Sequence, residues 1–257
     1  MDRSSRFTRL RWYNAVMGVF HLAQSAVIFV MSNDFTLPIT TSFLNFNTET
    51  QSLQPMTETV INLPLGSLVA LFLLISAVAH FIIASPLAFG WYVRNLEKGI
   101  NYARWFEYSM SASVMIVLIA MLCGVYDIAS LMLAFTLTAV MNLCGLMMEV
   151  HNQTTKKTNW TSYVIGCIAG LVPWIAITIY FFGSISTAEG TVPTFVYFIV
   201  PILFVFFFSF ALNMLLQYKK IGPWRDYLYG ERVYVLLSLI AKSALAWQVF
   251  AGTLRPV

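Results

Sequence analysis

The chain has 257 residues, of which 59% are hydrophobic and only 10% charged, with a formal net charge of +4. An ordinary soluble domain carries about 25% charged residues, so this composition excludes one and describes an integral membrane protein. The positive balance reports topology rather than nucleic-acid binding, because its basic residues cluster beside apolar runs.

Seven stretches, near 10–31, 66–92, 101–125, 128–150, 160–183, 192–217 and 231–252, are apolar over the roughly 20 residues that a membrane-crossing helix needs. They predict an all-α seven-transmembrane helix bundle that fills 1–257 as one domain, with one long connection at about 32–65. The Arg-rich start lacks a small-residue cleavage site, so the first span reads as a retained anchor. Along it, Asn14, Met17, His21, Gln24 and Ser25 form one stripe that faces the bundle interior.

The connection after the first span is rich in Thr and Asn, and its apolar residues Val60, Ile61 and Leu63 suit a short hairpin lid. In the second span His80 shares a helical face with Ser76. A lone buried histidine is usually a hydrogen-bonded packing residue, and that reading stands beside any functional one. Cys123, Cys144 and Cys167 all fall in apolar runs without metal-ligand spacing, so they read as buried small hydrophobes.

Basic residues beside membrane helices mark the cytoplasmic face. One face receives 13 of the 15 basic residues, from Arg3, Arg6, Arg9 and Arg11 through Lys156 and Lys157 to Arg232, and the other only Arg255. The second face carries Asp34, Glu49, Glu58, Asp127 and Glu189 instead. The N-terminus is therefore expected in the cytoplasm and the C-terminus and the 32–65 loop outside.

This assignment leaves one cation, Lys242 in the last span, and one anion, Glu107 in the third, inside the membrane. A charge at mid-bilayer is costly, by roughly 2.5–3.5 kcal/mol on insertion scales. At 1.5 Å per residue Glu107 lies about 13 Å and Lys242 roughly 18 Å along their helices from the same face, close enough to pair. A structural salt bridge that only locks two helices is one reading of such a pair. Arg104 and Glu149 lie toward the cytoplasmic ends of their helices and can interact or simply meet water.

Around the acid the chain runs Arg104-Trp105-Phe106-Glu107-Tyr108-Ser109-Met110-Ser111, and around the base Ser238-Leu239-Ile240-Ala241-Lys242-Ser243-Ala244-Leu245-Ala246-Trp247. Both segments resemble heliorhodopsins, as do the seven spans, the cytoplasmic N-terminus and the long first loop. Ordinary microbial rhodopsins differ: they carry an Asp-Trp pair on the third helix, an Asp four residues before the retinal lysine, and an external N-terminus. Here the corresponding residues are Glu107-Tyr108 and Ser238.

The resemblance implies all-trans retinal bound covalently to Lys242 as a protonated Schiff base with Glu107 as its counterion. It implies a site role for Ser238, whose other reading is back-bonding to its own helix. It also implies a proton network of His21 and His80, with Ser76 and Tyr108 beside it. Met110, Ser113, Met141, Asn142, Trp174, Phe206 and Trp247 fall at suitable heights to line the polyene pocket. Phe204, Phe206, Phe207 and Phe208 cannot all do so.

The expected function is light sensing: retinal isomerises to 13-cis, a proton moves inside the protein, and a signalling partner responds. Pumping is disfavoured, since Glu149 and Glu231 sit at cytoplasmic ends and the external half has no carboxylate relay. Light-driven proton conductance, as in some viral members of the family, and a non-photoactive transporter are the rival readings. Homodimers are common in the family, and the expected location is the cell membrane. No phosphate loop, zinc constellation or nucleophile triad supports an enzyme or a metal site.

Overall fold

The computed structural model describes residues 3–188 and 196–256, with backbone alone at 3 and 4; Glu189 and the expected start of the sixth span at 192–195 lie outside the described residues. The helices are α1 (Arg3–Met31), α2 (Leu65–Ala84), α3 (Pro86–Leu96), α4 (Tyr102–Leu122), α5 (Ile128–His151), α6 (Thr161–Ser186), α7 (Val196–Tyr218) and α8 (Tyr227–Val249). Among the described residues seven of them, all except α3, are long and apolar enough to cross a membrane. Their outer faces agree: Ile168, Ile175, Ile179, Phe182 and Val205 are all more than half exposed. An apolar belt of this extent is tolerated in lipid and not in water.

The second expected span, 66–92, is two helices. Pro86 lacks an amide donor and pushes the residue before it out of the helical region, and Ser85 accordingly sits at φ −68°, ψ 153°. The Ser85 hydroxyl then accepts from the Ala88 amide at 3.4 Å and starts α3. This helix buries Tyr92 and Leu96 against Phe7, Leu10 and Ile83 at the end of the bundle that carries the N-terminus. Burial pushes the Tyr92 phenol well above its ordinary range. Gly99 at φ +75° makes the turn into α4, whose first turn is capped by the Asn101 side chain accepting from the Arg104 amide at 3.0 Å.

The first loop is a long hairpin rather than a short one. β1 (Thr36–Asn47) pairs antiparallel with β2 (Ser52–Pro64), Thr36 opposite Pro64 and Asn47 opposite Ser52, with a register slip between Ile39 and Thr40. It is fastened to the far end of the bundle. The Thr40 amide donates to the Tyr126 carbonyl at 2.9 Å, and Asn33 Nδ2 donates to the Thr253 carbonyl at 2.9 Å. The end that carries the N-terminus is the basic end, and the opposite one is the hairpin end.

Beneath the hairpin, Phe72, Leu118, Met121, Ile177 and Leu245 form a fully buried core. Lipid is as apolar as this core, so close packing rather than expulsion from water holds the helices together. Glycine supplies the close approaches: a Cβ at Gly18 of α1 would sit 3.0 Å from the Phe81 ring of α2.

Candidate functional site

α4 and α8 both start at the basic end, so their inward faces run in parallel and bring Glu107 and Lys242 to one depth. Lys242 Nζ donates to Glu107 Oε1 at 3.1 Å, with the two side chains 4% and 8% exposed. Ser238, one helical turn before the lysine, accepts from Nζ at 2.7 Å, and Nζ lies 5.0 Å over the Tyr108 ring. Ser76 of α2 donates to the same Glu107 oxygen at 2.6 Å. An ammonium and a carboxylate that would each be costly alone in lipid are thus mutually satisfied and backed by hydroxyls.

Beside this pair the histidines of α1 and α2 stack, with His21 and His80 ring centroids 5.6 Å apart. His80 Nδ1 is 2.9 Å from Asn14 Oδ1. His21 is fully buried, and neither of its ring nitrogens has a protein partner. Buried polar atoms in this state are usually met by ordered water. Tyr108 is held by its hydroxyl, which donates to the Tyr234 carbonyl at 2.8 Å.

On the other side of Lys242 a cavity of about 390 Å³ is bounded by Tyr108, Met115, Met141, Asn142 and Phe207. It shares Met141, Asn142, Phe207 and Phe210 with a second cavity of about 790 Å³ that reaches Trp174 between α5, α6 and α7. Glycine makes this room. A Cβ on Gly145 would overlap the Trp105 ring, and one on Gly170 would overlap Met141. Trp174 closes the far wall edge-on to Phe204 and Phe207, at centroid distances of 5.5 and 5.1 Å.

Of the residues expected to line this pocket, Met141, Asn142 and Trp174 do so. The others lie elsewhere. Met110 is 50% exposed on the outer face of α4, and Trp247 is 41% exposed with its indole donating to Gln24 at 2.9 Å. Ser113 is buried but donates to the Ser109 carbonyl of its own helix at 2.7 Å. Phe206 stands outside the lining, where its neighbours Phe204, Phe207 and Phe210 take its place. Helical rise gives depth but not direction around the axis: Met110 and Trp247 face outward, and Ser113 and Phe206 fall outside this lining.

The basic end corrects a second expectation, that Lys242 and Glu107 are the sole interior charges. Arg104, Glu149 and Glu231 are 7%, 1% and 1% exposed. Arg104 Nη2 donates to Glu149 at 2.5 Å, and Nη1 pairs with Glu231. Trp105 Nε1 donates to Glu149 at 2.7 Å and Asn101 Nδ2 to Glu231 at 2.6 Å. Asn101, Tyr227 and Tyr234 were not singled out by sequence; the signal was the capping position of Asn101 beside three charges in the flanking turns.

The sequence model of the heliorhodopsin family matches residues 10–254. The chain belongs to the heliorhodopsin family. None of the curated proteins matches it. Heliorhodopsins are retinal-binding, rhodopsin-like photoreceptors of the membrane, with the chromophore attached through a lysine. The residues present fit that group: the amine has a carboxylate partner, and an apolar, aromatic cavity of suitable class begins at its tip.

Proposed function

We propose that this heliorhodopsin is a light sensor in which Lys242 carries retinal and Glu107 balances the positive charge on its nitrogen. The observation that carries this reading is the 3.1 Å contact between the two side chains, with Lys242 in the wall of the aromatic cavity. All-trans retinal bound through its aldehyde carbon supplies light absorption and a photoisomerising double bond, to 13-cis. Glu107 holds the proton at Lys242 Nζ by its charge, and Ser238 and Ser76 fix the two partners in place. Met141, Phe207 and Trp174 exclude water and confine an extended apolar ligand.

When the nitrogen gives up its proton, Glu107 is the carboxylate in contact with it, and His80 and Asn14 border the same cavity as Glu107. We read the output as signalling rather than pumping. Among the described residues every buried acid lies on the basic side of, or at, Glu107, and none lies buried toward the hairpin end. A proton arriving at Glu107 therefore has no carboxylate stepping stone across the other half. In the reading proposed here the basic end is cytoplasmic, the protein sits in the cell membrane, and two copies associate as a homodimer.

The test is to express the chain with all-trans retinal, record its spectrum, and illuminate vesicles that contain it. Visible absorption with a light-driven transient, and no sustained pH change across the vesicle wall, is the expected result. Sustained, light-dependent pH change or current would establish transport instead, and a colourless protein would overturn the chromophore.

A further inference from the structure

Glu149, Arg104 and Glu231 place two carboxylates around one guanidinium in a site closed to solvent. Among the described residues Arg104 is the one cation that pairs with either acid. The remaining donors are neutral: the Asn101 amide at 2.9 Å, Trp105 Nε1 at 2.7 Å and the Tyr227 hydroxyl at 3.2 Å to Glu149, and Asn101 Nδ2 at 2.6 Å to Glu231. Tyr92, Tyr108, Tyr218 and Tyr234 are the further titratable groups around it, from α3, α4, α7 and α8. With both acids ionised the site has a net charge of −1 and no counter-charge, which a low-dielectric interior strongly disfavours.

We propose that Glu149 and Glu231 bind one proton between them in the dark, and that this proton is perturbed when light changes the charge at Lys242 and Glu107. The two carboxyl groups flank one guanidinium, so the proton belongs to the pair and not to either residue. The proton rests as an O–H on one carboxyl oxygen, which leaves one anion for Arg104. A cavity of about 360 Å³ borders both centres, with Glu107, His80, Asn14, Asn101 and Arg104 in its lining beside the apolar Ile83 and Val235. Glu107 and Arg104 both border it and lie about one helical turn apart on α4, so a change of charge at Glu107 is felt at Arg104. The second half of the proposal rests on the photoreceptor reading; the first does not.

Infrared spectroscopy of the dark protein in its membrane, in light and heavy water, reads the O–H carboxyl directly. The wild-type chain should show a protonated-carboxyl band that is lost in Glu149→Gln and equally lost in Glu231→Gln, because either change leaves one carboxylate matched to one guanidinium. Thermal melting of each variant reports folding. Where a Gln variant fails to fold, Glu149→Asp and Glu231→Asp keep both carboxyls and should retain the band at a shifted frequency. Absence of the band in the wild type, its survival in either Gln variant, or its loss in both folded Asp variants would overturn the site. On illumination the same band should shift in step with the visible transient. An unchanged band in a pigment that visibly cycles would overturn the coupling, whereas a dark band in a colourless chain would sink the photoreceptor reading and leave the proton site standing.

Discussion

Glu107 and Lys242 meet 3.1 Å apart although 135 residues separate them in the chain. α4 and α8 bring them together, and Ser76 and Ser238 hold one partner each. The pair is the hinge between the sequence and the function, since neither charge would survive alone at this depth.

Glu107→Gln removes the anion and leaves the amide beside a cationic nitrogen. The protonated, visible-absorbing form should then be a smaller fraction of the pigment at neutral pH, with its maximum displaced. Absorption spectra of the variant and the wild type, recorded across pH, measure both.

Ser238→Ala deletes the 2.7 Å hydrogen bond to Nζ while Glu107 remains. Retinal should still attach, the spectrum should shift, and stability should fall by about 1 kcal/mol, the usual net contribution of such a bond. A variant that loses the pigment entirely would mean that Ser238 does more than orient the nitrogen.

Gly145→Ala places a methyl group against the Trp105 ring, which cannot retreat freely because its indole is tied to Glu149 at 2.7 Å. Overpacking of this kind costs about 1–3 kcal/mol, so the melting temperature should drop by several degrees. Gly183→Ala, which meets open space, is the matched control and should melt near the wild type.

Burial pushes the Cys123 thiol up to about 11. A raised value means that the unreactive thiol persists at all pH below it and the reactive thiolate appears only as pH approaches it. A maleimide should therefore leave Cys123 unlabelled at neutral pH and label it faster in strong base, as peptide mass spectrometry can show.

Much of the site was legible because charge is so sparse in this chain. A lysine and a glutamate stranded in apolar runs must find each other, and the rise per residue places them at one depth. The aromatic wall was harder to read. Met110 and Trp247 have the right height yet face outward, and Gly145 and Gly170, which make the cavity by what they lack, carry no chemical signal in sequence. Arg104, Glu149 and Glu231 looked interfacial because they sit near helix ends. The structure buries them because the turn after α3 folds Asn101 over that end and α8 brings Tyr227 and Tyr234 across it. The second span read as continuous to 92 because its hydropathy does not change at Pro86, whereas its backbone does.

The most direct measurement is to load the protein with retinal, reduce the linkage with borohydride, digest the chain, and locate the added mass. A retinyl group should appear on Lys242 alone, and none anywhere in Lys242→Ala. A retinyl group on any other lysine, or none in a wild-type protein that has been exposed to retinal, would contradict attachment through Lys242.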